Sequence, residues 1–144
     1  MSIHADDLDL EKLASDLASF SFASREVIKR YFRQPITIEG KADDSPVTIA
    51  DKQAEQVIRE ALQAAYPHHN IVGEEHGGQI SGALDWVIDP IDGTRAFICG
   101  KPQFGTLIAL CDAYVPIASV IDMPVLDERY SAVKGKGAFC NDQP

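Results

Sequence analysis

The chain has 144 residues and a mass of 15.7 kDa, 45% hydrophobic and 24% charged, which fits one ordinary globular domain or half of a larger one and excludes general disorder. Thirteen Lys and Arg against 22 Asp and Glu leave a net charge of −9, so the surface repels nucleic-acid backbones, and repels small phosphates too unless cations intervene. No apolar run is long enough to cross a bilayer, Met1 to Leu10 lacks the basic start of a signal peptide, and three scattered cysteines (Cys99, Cys111, Cys140) indicate neither a disulfide framework nor a zinc site; a reducing cytoplasm is the expected setting.

Leu10, Leu13, Leu17, Phe20, Val27 and Tyr31 recur at helical spacing and predict a long amphipathic helix over Asp6 to Phe32. Arg25, Lys29, Arg30 and Arg33 read as its solvated, dipole-favoured end, and Pro35 stops it. Ile36 to Glu39 suits a short strand and Gly40 to Pro46 a loop. A second helix is predicted over Ile49 to Ala65, with Ala54, Val57, Ile58, Ala61 and Leu62 facing inward, Thr48 as N-cap and Asp51 three residues on. Asn70 to Val72 reads as a strand, and Gly73 to Gly82, holding four of the ten glycines, as a loop. Asp85 to Asp89 is a strand expected to stop at Pro90, and Gly93 to Ile98 a short helix. Thr106 to Cys111, Val115 to Ile121 and Tyr130 to Val133 form an antiparallel meander. Gly135 to Cys140 reads as the start of another hairpin rather than a terminal cap, so the chain is expected to be a fragment. The fold class expected is α+β, two long helices packed on an antiparallel sheet.

Three acidic groups carry the chemistry: Thr48-Ile49-Ala50-Asp51, Gly73-Glu74-Glu75, and Trp86-Val87-Ile88-Asp89-Pro90-Ile91-Asp92-Gly93-Thr94. Carboxylates at strand ends and in loops suit a hard divalent cation such as Mg²⁺, which takes oxygen ligands in near-octahedral geometry. Pro90 turns the chain so that Asp92 returns close to Asp89, with the Ile91 carbonyl between them as a further ligand. Gly93 and Thr94 open the next helix, where backbone N–H groups favour an anion. An acidic chain can hold a phosphorylated substrate if cations sit between carboxylates and phosphate. Such a site activates water for in-line displacement, with Glu74 as the base and Thr94 and Asp51 as hydrogen-bonding helpers.

These motifs, in this order and spacing over nearly the whole chain, resemble the inositol monophosphatase superfamily of Mg²⁺-dependent, lithium-sensitive sugar and polyol phosphatases with an αβαβα layered fold. The resemblance implies that Glu74, Asp89 and the Ile91 carbonyl ligate a first metal, Asp89 and Asp92 a second, and Glu74 a weakly held third, giving two or three Mg²⁺ ions. It implies that Asp51 and Thr94 orient the water and that the Gly93 and Thr94 amides bind phosphate. Lys41 stands near the family's loop lysine, at a spacing to Asp51 one residue shorter. After the core motif the chain reads Thr94-Arg95-Ala96-Phe97-Ile98, then Phe104-Gly105-Thr106-Leu107-Ile108, where inositol monophosphatases usually have Asn-Phe-Val. This version resembles the histidinol-phosphate phosphatase branch, which acts in histidine biosynthesis. The family's second half supplies a further Trp-Asp motif and most substrate contacts. Residues 1–144 therefore correspond to the N-terminal metal- and phosphate-binding domain, with the C-terminal domain absent, a homodimer as the expected assembly, and an activity that the fragment alone is not expected to retain in full.

Taken singly, Asp51 and Asp92 are ordinary helix caps and Glu74-Glu75 an ordinary solvated pair; together they favour the metal site. His68, His69 and His76 read as surface loop residues, Trp86 and Phe104 as core, and Cys99 as a buried thiol. Arg95 and Lys101 stand equally for substrate contact and plain solvent exposure. Oxygen-ligand spacing excludes an EF-hand, and no phosphate-loop motif is present. Two rival functions remain: inositol-1-phosphate or broad sugar-phosphate hydrolysis, and a non-catalytic metal-binding or dimerising fragment.

Overall fold

A computed structural model describes residues 5–144; the first four residues of the segment read above for a targeting signal lie outside the described residues. After a 3₁₀ turn at Ala5–Asp7, helix α1 spans Leu10–Tyr31 and α2 spans Ile49–Ala65. The strands are β1 Ile38–Gly40, β2 Pro46–Thr48, β3 Asn70–Gly73, β4 Leu84–Asp92, β5 Gly105–Asp112, β6 Val115–Met123, β7 Glu128–Val133 and β8 Gly137–Cys140, with α3, Thr94–Ile98, between β4 and β5. Strands β3 to β8 form one sheet in chain order, and β1 pairs with β2 in a separate small hairpin.

Both long helices pack on one face of the six-stranded sheet because their apolar stripes meet the alternate residues of its strands. Leu13, Leu17 and Phe20 of α1 and Ile58 and Leu62 of α2 join Trp86, Ile88, Ile108, Leu110 and Val120 in one buried cluster. Trp86 is fully buried, edge-on to Phe20, and its indole N–H donates to His69 Nδ1 at 3.0 Å. His69 is therefore half-buried, while His68 and His76 are exposed. A second cluster (Val27, Ile28, Ala50, Ala54, Ile91, Phe97, Phe104) locks α3 and the end of β4 to both helices. On the opposite face Val87, Leu107 and Ala109 are only partly covered and Ile121 is exposed, so that side of the sheet is apolar and open.

Several expectations are corrected. Helix α1 begins at Leu10 rather than Asp6, because the Asp9 side chain accepts from the Glu11 and Lys12 amides and fixes the N-terminus there. The stretch read as a loop, Gly40 to Pro46, holds the turn of the β1–β2 hairpin. The β3–β4 pair is parallel, so the main sheet is mixed, with antiparallel pairing only from β4 onward. Arg25 is buried: its Nε and Nη2 donate to Asp122 at 2.9 and 2.6 Å, a two-pronged pair that joins α1 to β6. Cys99 is exposed, because it follows the last turn of α3 and its side chain leaves the core that Phe97 enters; all three cysteines are free thiols.

Strand β4 does not stop at Pro90 but continues to Asp92. Asp89 pairs with Leu107 and Asp92 with Gly105, so one extra residue is inserted on β4 and the register breaks between them. A proline tolerates this break because it has no N–H to lose from the ladder. The buried Thr106 hydroxyl donates to the Pro90 carbonyl at 2.8 Å and pins the bulge. The bulge resets the alternation of sides. Ile91 is delivered to the helix-side core, while Asp89 and Asp92 remain at the edge where α3 begins.

Candidate active site

Helix α2 begins at the site. Thr48 caps it, and Asp51 Oδ2 accepts from the Thr48 amide at 2.8 Å and the Thr48 hydroxyl at 2.7 Å, a reciprocal box that local sequence dictates. The same pairing turns Asp51 Oδ1 toward α3, where the Thr94 hydroxyl donates to it at 2.9 Å. Thr94 Oγ1 also lies 3.1 Å from the Ile91 carbonyl. The Asp51–Thr94 pair, expected from the motifs, is thus assembled, and Asp51 is fully buried. Gly93 stands at φ 95°, a left-handed conformation that glycine adopts without strain, and a Cβ there would lie 3.1 Å from the Gln103 carbonyl oxygen. Its turn swings the chain from the strand into α3.

The second wall is the loop after β3. The Gly73 and Gly77 backbones exchange two hydrogen bonds of 3.0 Å, and the Glu74 amide donates to the Ile88 carbonyl at 3.1 Å, which sets Glu74 beside the end of β4. Lys41 Nζ lies 3.3 Å from Glu74 Oε1 and 2.9 Å from Glu75 Oε2. Burial pulls Lys41 down, but its two glutamate partners outweigh this and hold it above its ordinary value. Burial pushes Glu75 up against the pull of Lys41. Arg95 and Lys101 are exposed.

Asp89 decides what the site can hold. Its Oδ1 is buried and has no hydrogen-bond partner among the described residues. Burial, then the adjoining Glu74 carboxyl, then the charges of Asp92 and Glu75 push its carboxyl up to about 8. An orphaned carboxylate oxygen crowded by other carboxylates is a donor set suited to a hard cation. The expected threefold convergence is only partly met. Glu74 and Asp89 adjoin, whereas Asp92 is exposed; among the described residues, no three His, Cys, Asp or Glu side chains are gathered tightly enough to enclose an ion. Lys41 pairs with both Glu74 and Glu75, and the charge of Asp92 is felt at Asp89.

Two contributors escape the sequence reading, Glu55 and Arg59. Glu55 is fully buried on α2, accepts from the Glu75 amide at 2.6 Å and the His76 amide at 3.1 Å, and pairs with Arg59 at 2.9 Å. The available signal is a Glu-x-x-x-Arg pair one turn beyond Asp51, on the helix face that carries Ala54, Ile58 and Leu62.

Helices backing a mixed sheet, with carboxylates at the ends of its strands and a short helix following them, define a layered α+β fold. The chain belongs to the inositol monophosphatase family, whose model matches residues 9–144. The bifunctional phosphatase IMPL2, chloroplastic, of Arabidopsis thaliana is 44% identical over 140 residues, covering 95% of this chain and 40% of the relative. A histidinol-phosphatase of Chlorobaculum parvum is 41% identical over 134 residues, covering 92% and 51%. The solved structure of an inositol monophosphatase from Zymomonas mobilis superposes with a TM-score of 0.79 at 39% identity, covering 94% of this chain and 53% of that one. The chain spans about half the length of the curated relatives it matches. Among the described residues, no helix is long and apolar enough to cross a membrane.

Proposed function

We propose that residues 1–144 form the N-terminal, metal- and phosphate-binding half of a phosphoric monoester hydrolase that converts histidinol phosphate to histidinol and phosphate. The observation that carries this reading is the unpartnered, buried Asp89 Oδ1 beside Glu74, at the start of a helix that can take a phosphate. Glu74, Asp89 and the Ile91 carbonyl would hold one Mg²⁺, Asp89 and Asp92 a second, and Glu74 a third. When bound, the cations lower the pKa of a coordinated water and offset phosphate charge. The Thr94 hydroxyl donates a hydrogen bond to Asp51 Oδ1, so its lone pairs are left to accept from the attacking water and orient it. Glu74 takes the proton that the water loses. The first amides of α3, at Gly93 and Thr94, hold the phosphate oxygens in line. A homodimer is part of the same proposal.

The relatives support phosphate-ester chemistry more strongly than any one substrate. In the branch-specific stretch, Phe97, Phe104 and Thr106 are buried and only Arg95 is exposed. Most of that signature therefore shapes packing, and Arg95 is the one member able to meet a substrate. The second reading, inositol-1-phosphate or a broad range of sugar phosphates, is supported by the 39% identity to the Zymomonas mobilis inositol monophosphatase. Parallel phosphate-release assays with Mg²⁺, on this chain joined to a C-terminal half, separate the two. Faster turnover of histidinol phosphate supports the proposal. Preference for inositol-1-phosphate assigns the rival, and no turnover of either ester with Mg²⁺ still bound assigns a non-catalytic fragment.

A further inference from the structure

We propose that Glu55 is the positioning residue of the metal site, holding the Glu74 loop in place from the buried face of α2. The inference rests on the metal reading of Glu74 and Asp89 given above. An ionised carboxylate with no solvent exposure is stable only where hydrogen bonds and a counter-charge replace water. Glu55 finds its backbone donors on this loop, the Glu75 amide at 2.6 Å and the His76 amide at 3.1 Å. Arg59 supplies the counter-charge at 2.9 Å and reaches the Gly77 carbonyl with its other arm at 2.5 Å.

The Glu74 side chain is exposed, with Lys41 at 3.3 Å and Asp89 as its neighbours, so where it can reach is set by the backbone that carries it. That backbone is held on one side by Ile88 and on the other by Glu55. Gly73 belongs to the same device, since a Cβ there would overlap the Glu55 carboxyl. One helical turn separates Glu55 from Asp51, which reaches Thr94. Helix α2 thus spaces the two walls of the site, one carboxylate gripping α3 through Thr94 and the next gripping the Glu74 loop. A carboxylate that only filled the core would be replaceable without effect on an ion; one that aims a ligand would not, since partners of this kind typically change metal affinity about 10–100-fold.

The test titrates Mn²⁺ into the chain, comparing wild type, Glu55→Gln and Glu74→Gln, with amide hydrogen exchange followed by NMR. In Glu55→Gln the new amide group offers one carbonyl where the carboxylate offers two oxygens, so the Glu75 and His76 amides are expected to exchange faster while β5 and β6 stay protected. Mn²⁺ affinity is expected to fall about tenfold or more in Glu55→Gln, in the same direction as in Glu74→Gln. Unchanged Mn²⁺ affinity in a folded Glu55→Gln chain overturns the positioning role while leaving the metal site standing. No Mn²⁺ binding by wild type, or none lost in Glu74→Gln, overturns the metal site and the positioning role with it. If Glu55→Gln does not fold, Gly73→Ala displaces the same carboxylate and is judged by the same two measurements.

Discussion

Replacing Asp89 by Asn keeps the shape of the side chain and removes its charge. Burial, Glu74, Asp92 and Glu75 raise the Asp89 carboxyl to about 8 from an ordinary 3.8. Between those limits the folded chain holds more protons than the unfolded chain, so stability falls as pH rises through the window and is fully present below about 4. At about 1.4 kcal/mol per pKa unit, four units would cap the loss near 6 kcal/mol. The Asp89 carboxyl is only partly buried, so solvent screening reduces the expected loss to about 2–3 kcal/mol. Asp89→Asn should therefore unfold at higher urea than wild type at pH 8 in chelator, and within error of wild type at pH 4.5. Adding Mg²⁺ at pH 8 should stabilise wild type and leave the variant unchanged, closing the gap. A variant no more stable than wild type at pH 8, or equally displaced at both pH values, would refute the account of Asp89.

Three further outcomes follow from contacts already described. Thr94→Val removes the donor to the buried Asp51 Oδ1 and should cost about 1–3 kcal/mol in urea unfolding, together with most phosphate release in the completed enzyme. Arg25→Met leaves the fully buried Asp122 without its counter-charge and should cost about 3–5 kcal/mol, whereas Arg25→Met with Asp122→Leu should recover most of it. Lys41→Ala frees Glu74 and Glu75 from their cation and should tighten neither β5 nor β6 exchange while changing Mn²⁺ affinity at the site.

Helix α2 and its cap are readable because their signals are local: Thr48 and Asp51 lie three residues apart, and the apolar row Ala54, Ile58, Leu62 repeats every four. The same holds for α3, announced by Gly93. Features set by distant partners are not readable. Arg25 meets Asp122 across 97 residues, so the helical stripe alone puts it in solvent. The continuation of β4 past Pro90 depends on Thr106 on the neighbouring strand, which accommodates the bulge. Of the β1–β2 hairpin, the first strand is read in part, over Ile36 to Glu39, but β2 has only three residues, too few for an alternating pattern to stand out. At the site, residue identity is legible from the motifs, and orientation is not. The exposure of Asp92 and the Lys41 pairing with Glu74 and Glu75 are not recorded by spacing.

The central claim is that Glu74, Asp89, Ile91 and Asp92, from two separate segments, share hard cations in front of α3. Substoichiometric Mn²⁺ added to isotopically labelled chain tests it directly, because paramagnetic broadening marks the nearest nuclei. The account predicts that resonances of Glu74, Asp89, Ile91, Asp92 and Thr94 vanish first and that Mg²⁺ restores them. Broadening that starts instead at other acidic surface positions, such as Asp43 and Asp44, would contradict it.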